Sequence, residues 1–532
     1  MSNQQTVTTA SPASWIDRPM ILPAILALYL IVRLVYAASL ELVPDEAIYW
    51  SWSRHLALGY FDHPPMIAYL MRLGTMALGP NELGVRLAAA ALATGTAFVT
   101  ILIARSVLKS TWLIGWVTFV WLTSPLLAGI GTLFTPDTPS LFFSAAALYV
   151  AIRIAVMSDA DPSLAVSARA ARPWIIFGVF AGLGLLSKYT AALLPTSVAL
   201  AMLLAPAGRA HYRKPWIYLG GIISLLVFSP VIYWNYKHGW ASFAYQFHHG
   251  TVGEMPQAGP TSAAGTVMRV GKDLSNYLGG QLAIYTPILF VIAILVQIRC
   301  WRRYSQLDLV DRLLLWTGSL PFVFFGLMFI KSHRGEANWP AFAYIPLSIL
   351  TARWLAKKFD GPRRNWAIGG ARLAAGMWIG LHVLIWPAVT EKIVGIAASR
   401  HKHVPHAITD LVGWREYGRA VALKWPGPEI YYPVANRAQD AAEASFYMPR
   451  QPEVWCDGIG YRPTAFDYFD AQPDFTKIRG VMWIGTSVAN VKLFSEKYGY
   501  VEDSISSLYF PSLGNDRTYR IDFLERPPEV KH

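Results

Sequence analysis

A chain of 532 residues has room for two or more domains, and a hydrophobic content of 54% excludes an ordinary water-soluble enzyme in favour of a membrane protein. The net charge of +13 lies in the apolar part: residues 389–532 hold 17 Lys and Arg against 18 Asp and Glu, so residues 1–388 carry the basic excess. That distribution favours loop orientation and anionic lipid over nucleic acid, and the two cysteines, Cys300 and Cys456, exclude a disulfide framework or a cysteine metal site.

Residues 1–19 are rich in Ser, Thr and Gln, and the apolar run after them lacks a clear cleavage site. They read as a cytoplasmic tail before a retained span rather than as a signal peptide. Apolar segments of spanning length fall at about 20–40, 83–104, 111–132, 138–157, 174–187, 190–206, 216–234, 277–298, 313–330, 338–352 and 367–388, about 11 transmembrane helices. Five alternate connections carry 17 basic residues, from Arg105 and Lys109 to Arg363 and Arg364. The positive-inside rule then sets the N-terminus in the cytoplasm and the C-terminus outside. The opposite face collects Asp45 to Pro65, Asp137, Lys188 and Lys331 to Pro340. Arg33, inside the first span, is expensive to bury alone and should face the bundle interior, with a carboxylate partner or a substrate role equally open.

The loop at 41–82 breaks the apolar pattern with VPDEAIYWSWSRHLALGYFDHPPM, Val43 to Met66. Asp45 reads as an N-cap with Glu46 in the first turn, Trp50 and Trp52 suit a helix lying at a membrane surface, and Gly59 can end it. Asp62-His63-Pro64-Pro65 can cap and start the next helix. The alternative is that Asp45, Glu46, Asp62 and His63 line a site at the membrane face.

The pairing of PDE after a first span with YFDHPP resembles the first external loop of the protein O-mannosyltransferase and lipid A aminoarabinose-transferase superfamily. GLLSKYTAALLP (Gly184 to Pro195) and KSHRGEANWPAFAYIP (Lys331 to Pro346) extend the resemblance, which covers roughly Ile21 to Ile349. It implies a polytopic C-type (GT-C) glycosyltransferase of the inner membrane with a periplasmic site. The donor would be a polyprenyl-phosphate-linked sugar and the acceptor lipid A, lipopolysaccharide core or another glycan or protein. The loop variants look most like bacterial lipid A and core transferases, including galacturonosyl and aminoarabinosyl enzymes; a protein O-mannosyltransferase is the nearer alternative. A lipid-linked sugar transporter or flippase is the alternative from another class, and the absence of an internal repeat speaks against it.

Such a reaction needs one carboxylate as general base and cations for the departing phosphate. The resemblance implies Asp45 as the base, with Glu46 beside it to orient the acceptor or support the loop. It implies Asp62, Asp137 and Asn338 as acceptor or sugar contacts, and Lys188, Lys331, His333 and Arg334 as contacts to the carrier phosphate. Read without it, Asp137 in TPDTP is a helix cap, Lys188 a snorkelling residue and the 331–334 charges interfacial anchors. His63 stands where the aminoarabinose transferases have Lys, which makes that phosphate contact pH-dependent. The motifs specify no cofactor, and a divalent cation at Asp45 and Asp137 stays open. His248-His249 and His401, His403 and His406 lack ligand spacing and an acidic companion.

Beyond Trp386-Pro387 the hydropathy falls, and residues 389–532 read as a periplasmic α/β domain. Strands are expected at 429–434, 453–456, 480–484 and 519–523 and helices at 438–447 and 488–498, giving a small mixed or parallel sheet that serves as a lid or acceptor-binding module.

Overall fold

The computed structural model describes residues 20–527, apart from 162, 164–166, 252–262, 333–334, 358–360, 401–403, 460 and 511–516. The membrane part opens with α1 (Ile21–Ser39), α2 (Pro44–Arg54), α3 (Met66–Leu78), α4 (Glu82–Val107), α5 (Thr111–Leu122), α6 (Pro125–Ile130), α7 (Asp137–Ala160) and α8 (Ala171–Ser187). Among the described residues, seven helices are long and apolar enough to cross a membrane, or up to nine if each of two bent pairs is one span. The protein is a multi-pass membrane protein, as the apolar segments led one to expect. Segments 111–132 and 338–352 contribute shorter apolar helices, Thr111–Leu122 and Ala341–Ala356.

The run at 277–298 is not one straight span. It breaks by 111° between Val267–Tyr285 and Pro287–Arg302. Thr286 adopts a left-handed φ of 70° and Pro287 takes the first helical position, where its missing N–H costs nothing. Elsewhere, glycine permits close helix contact. A Cβ on Gly178 would stand 2.2 Å from the Gly220 carbonyl oxygen, so α8 and helix Trp216–Lys237 meet backbone to backbone.

The C-terminal residues form a five-stranded sheet of β1 (Tyr432–Ala435), β2 (Trp455–Cys456), β3 (Gly480–Gly485), β4 (Val501–Phe510) and β5 (Arg517–Glu525), in the order β2-β1-β3-β5-β4. β1 pairs in parallel with β2 and β3, whereas β5 is antiparallel to β3 and β4. The expected mixed sheet is present; β4 and the helix Trp414–Lys424 were not anticipated.

This sheet is no detached appendage. One apolar core joins Leu42, Trp50, Trp52, Ile67 and Val85 of the first loop and α4 to Trp414, Phe446 and Trp483 of the C-terminal part. Trp50 meets Phe446 edge-on at 5.0 Å, and Trp52 stacks on Tyr60 at 4.5 Å. Both tryptophans are buried rather than laid on a membrane surface, Trp50 by helix Ala438–Tyr447, which packs along α2, and Trp52 by Tyr49 and Tyr60 of its own loop. Both cysteines are buried thiols outside any disulfide, Cys300 in a membrane helix and Cys456 in β2.

Candidate active site

The start of α2 fixes the site. Its N-cap is Val43, not Asp45: Glu46, at the third helical position, turns back to accept the Val43 N–H at 3.1 Å. Pro44 occupies the first position, and Asp45 is left to point away from the capping interaction, one residue into the helix.

Glu46 is fully buried and wholly engaged. Arg86 Nε donates to its Oε1 at 2.7 Å, Arg86 Nη2 donates to Oε2, and the Phe134 N–H reaches Oε1 at 2.7 Å. Arg86 also donates to the carbonyls of Ala37, Leu40 and Glu41, tying the end of α1 to α2 and α4. Of the two roles expected for Glu46, orienting the acceptor or supporting the loop, these contacts are those of the second: it is the internal brace of the loop. An arginine in an otherwise apolar span was the signal for its partner.

Asp45 lines a cavity of about 740 Å³ and is open to the space within it. Desolvation, followed by the charges of Glu336, Asp62, Asp410 and Glu46, pushes its pKa up to about 6. The cavity is walled by α6 and Thr135 on the membrane side, by Glu336 and Asn338 from the GEANWP stretch, and by Asp410, Trp414, Arg437 and Asp440 from the C-terminal part. Glu336 is accessible too, and burial of its surroundings, then Asp137, raises its pKa against the pull of Lys188.

Three of the expected residues meet beside this cavity. Lys188 Nζ donates to Asp137 Oδ1 at 2.7 Å, and Asn338 Nδ2 donates to Asp137 Oδ2 at 3.1 Å. Lys188 is the residue that ends α8, and Asp137 the one that begins α7, so two helix termini and the GEANWP loop converge on one carboxylate.

Other expected residues are placed differently. Asp62 caps no helix: α3 begins behind Pro65, and Asp62 Oδ1 accepts from Arg462 Nη1 at 2.8 Å. Arg462 in turn lies over the Tyr245 ring, 4.7 Å from its centroid. His63 lies against the aromatic rings of Tyr49 and Trp52, at 6.1 and 6.5 Å. Lys331 is exposed in the last turn of its helix, and His333 and Arg334 fall outside the described residues. Among the described residues Arg33 has no carboxylate partner. It donates to the Ala128 carbonyl, Thr132 Oγ1 and Tyr29 OH at 2.8–3.0 Å, bracing α6 from behind. Among the described residues no three His, Cys, Asp or Glu side chains come together as a metal-ligand group; His401 and His403 lie outside them.

A family model described as dolichyl-phosphate-mannose-protein mannosyltransferase matches residues 62–234. In structure the chain matches ArnT from Cupriavidus metallidurans in its apo state with a TM-score of 0.60 at 16% identity, over 96% of this chain and 99% of ArnT. The chain has the C-type glycosyltransferase fold. The form of ArnT bound to undecaprenyl phosphate matches equally, with a TM-score of 0.60 at 14% identity over 94% of this chain and 97% of that one. In sequence the chain is 28% identical over 329 residues to the lipid A galacturonosyltransferase RgtD of Rhizobium johnstonii, which is 62% of this chain and 63% of RgtD. It is 29% identical over 215 residues to the lipopolysaccharide core galacturonosyltransferase RgtB of the same organism, 40% of this chain and 41% of RgtB. The chain thus matches less than two thirds of the length of either curated relative.

Within this C-type fold, Glu336, Asp410, Arg437 and Asp440 are cavity residues that sequence reasoning did not single out. Glu336 lay within the quoted GEANWP motif. The other three come from the C-terminal part, where no local pattern marks them.

Proposed function

We propose that the protein is an inner-membrane glycosyltransferase. It moves a sugar from a polyprenyl-phosphate carrier to a lipid A or lipopolysaccharide-type acceptor in the cavity beneath the periplasmic sheet domain. The observation that carries this reading is the position of Asp45, a carboxylate with a pKa near 6 opening into a cavity beside the Asp137–Lys188–Asn338 cluster. A base poised there is ionised at neutral pH yet keeps enough basicity to take a proton.

In the reaction the acceptor hydroxyl gives its proton to Asp45 as its oxygen bonds to the anomeric carbon. The bond from that carbon to the phosphate oxygen breaks, and the polyprenyl phosphate leaves as an anion. Lys188, oriented by Asp137, supplies positive charge for that anion. Support for the carrier comes from the name of the undecaprenyl-phosphate-bound ArnT, and support for the acceptor from the names of RgtD and RgtB.

The orientation follows the loop charges, with the N-terminus cytoplasmic and the C-terminus periplasmic. Reporter fusions should give a cytoplasmic signal at Gly208 and a periplasmic one at His532; equal signals would mean that a span is miscounted, and the opposite pattern would reverse the assignment. For the activity, purified full-length protein in nanodiscs should transfer sugar from a polyprenyl-phospho-uronic acid to lipid A. Transfer only to a peptide hydroxyl would move the reading to protein glycosylation, and transport without transfer would end it.

A further inference from the structure

The charged side chains lining the cavity, among the described residues, are four acids, Asp45, Glu336, Asp410 and Asp440, and one base, Arg437. Arg437 lies two residues beyond the end of β1 and stands at the N-cap of helix Ala438–Tyr447, with extended backbone at φ −117° and ψ 139°. It is half-buried. Its backbone carbonyl accepts the Ala441 N–H, but its guanidinium makes no hydrogen bond or ion pair with a described residue. The neighbouring arginines differ: Arg86 is committed to Glu46 and Arg415 to Glu82.

A guanidinium with its donors unspent, held at a cavity wall, is a receptor for a planar two-oxygen anion. The carrier phosphate is tethered to an isoprenoid tail and enters from the bilayer, where α6 forms the wall. Arg437 belongs instead to the sheet domain. The group it faces is therefore carried by the sugar or the acceptor. A neutral sugar would need no cation here. A uronic acid would bring a fifth carboxylate among four, and like charges in a partly desolvated cavity repel strongly unless one is paired.

We propose that Arg437 is a specificity-determining residue that binds the carboxylate of a uronosyl donor, an inference that rests on the transferase reading above. In a uronosyl ring the carboxylate sits on the carbon bonded to the ring oxygen, across that oxygen from the anomeric carbon. Asp45 and Arg437, on separate walls of one cavity, thus serve the two ends of the same sugar.

The test compares polyprenyl-phospho-galacturonic acid with its neutral counterpart, polyprenyl-phospho-galactose. It uses full-length protein in nanodiscs, with lipid A acceptors that carry or lack their phosphates. The readout is kcat and KM, or the inhibition constant for a donor that is not turned over. Wild-type protein that transfers neither sugar would defeat the transferase reading itself, separately from the role of Arg437. With wild type active, Arg437→Gln should weaken the uronosyl donor roughly 10- to 100-fold, mostly in KM, and leave the galactosyl donor within about threefold. Arg437→Lys should recover part of the loss, and it carries the same comparison if the Gln variant fails to fold. Equal loss for both donors, no loss for either, or a loss that appears only with the phosphorylated acceptor would overturn the proposal.

Discussion

Lys188 Nζ lies 2.7 Å from Asp137 Oδ1, joining the end of one membrane helix to the start of another. Both side chains are largely buried, at 14% and 12% exposure, so neither charge is well solvated without the other. The pair places the cation beside the cavity and also binds it, through Asp137, to Asn338.

The first prediction concerns that pair. Lys188→Ala and Asp137→Asn should each lower turnover more than tenfold and reduce stability, because removing one partner strands the other; a buried pair broken this way costs about 3–5 kcal/mol. The double variant should be less than additive in stability, with coupling on the order of 1 kcal/mol or more. A thermal-shift double-mutant cycle with parallel transfer assays measures both. Additive losses would mean that the two residues act separately.

Glu46 and Arg86 form the brace under α2 and should behave differently. Glu46→Ala leaves Arg86 charged at 0% exposure and frees the Phe134 and Val43 N–H groups. The expected effect is a large drop in melting temperature or yield, about 3–5 kcal/mol. Protein that survives should keep its donor KM. Stable Glu46→Ala protein with normal melting and no activity would return Glu46 to the chemistry.

Glu443 carries the third prediction. It lies fully buried in the helix that covers α2, and neither carboxyl oxygen has a hydrogen-bond partner among the described residues. Burial first, then Glu41 and Glu46, pushes its pKa well above the usual carboxylate range, against the pull of Arg86. Folding therefore takes up a proton at Glu443 once pH exceeds the unfolded value, and this group costs stability increasingly as pH rises from there towards its folded pKa. Glu443→Met should raise the melting temperature at pH 8, by about 1–3 kcal/mol of stability, and the gain should shrink towards pH 5. A gain independent of pH, or a loss throughout, would contradict this account.

The long apolar runs made α1, α4, α7 and α8 readable, and the helices 438–447 and 488–498 were expected at their observed bounds. The bend at Thr286-Pro287 was hidden because apolar residues continue through it, so hydropathy saw one span where the backbone turns. β4 escaped because VEDSISSLYF is a polar edge strand without clean alternation. In the site, Asp45, Asp137, Lys188 and Asn338 were named from motif resemblance, and three of them do touch. Asp410, Arg437 and Asp440 were invisible because the cavity is closed across nearly 400 positions of chain, and no local pattern reports such a distant partner.

The central claim is that Asp45 is the general base, and the pH dependence of transfer tests it most directly. A carboxylate pushed up to about 6 is protonated and inactive below that value, so kcat/KM should rise through about pH 6 and level off above it. Asp45→Asn should lower transfer roughly 10²- to 10⁴-fold, remove that rise, and leave melting temperature and donor affinity near wild type. An Asp45→Asn enzyme that keeps the acid limb and a normal rate would show that another group takes the proton.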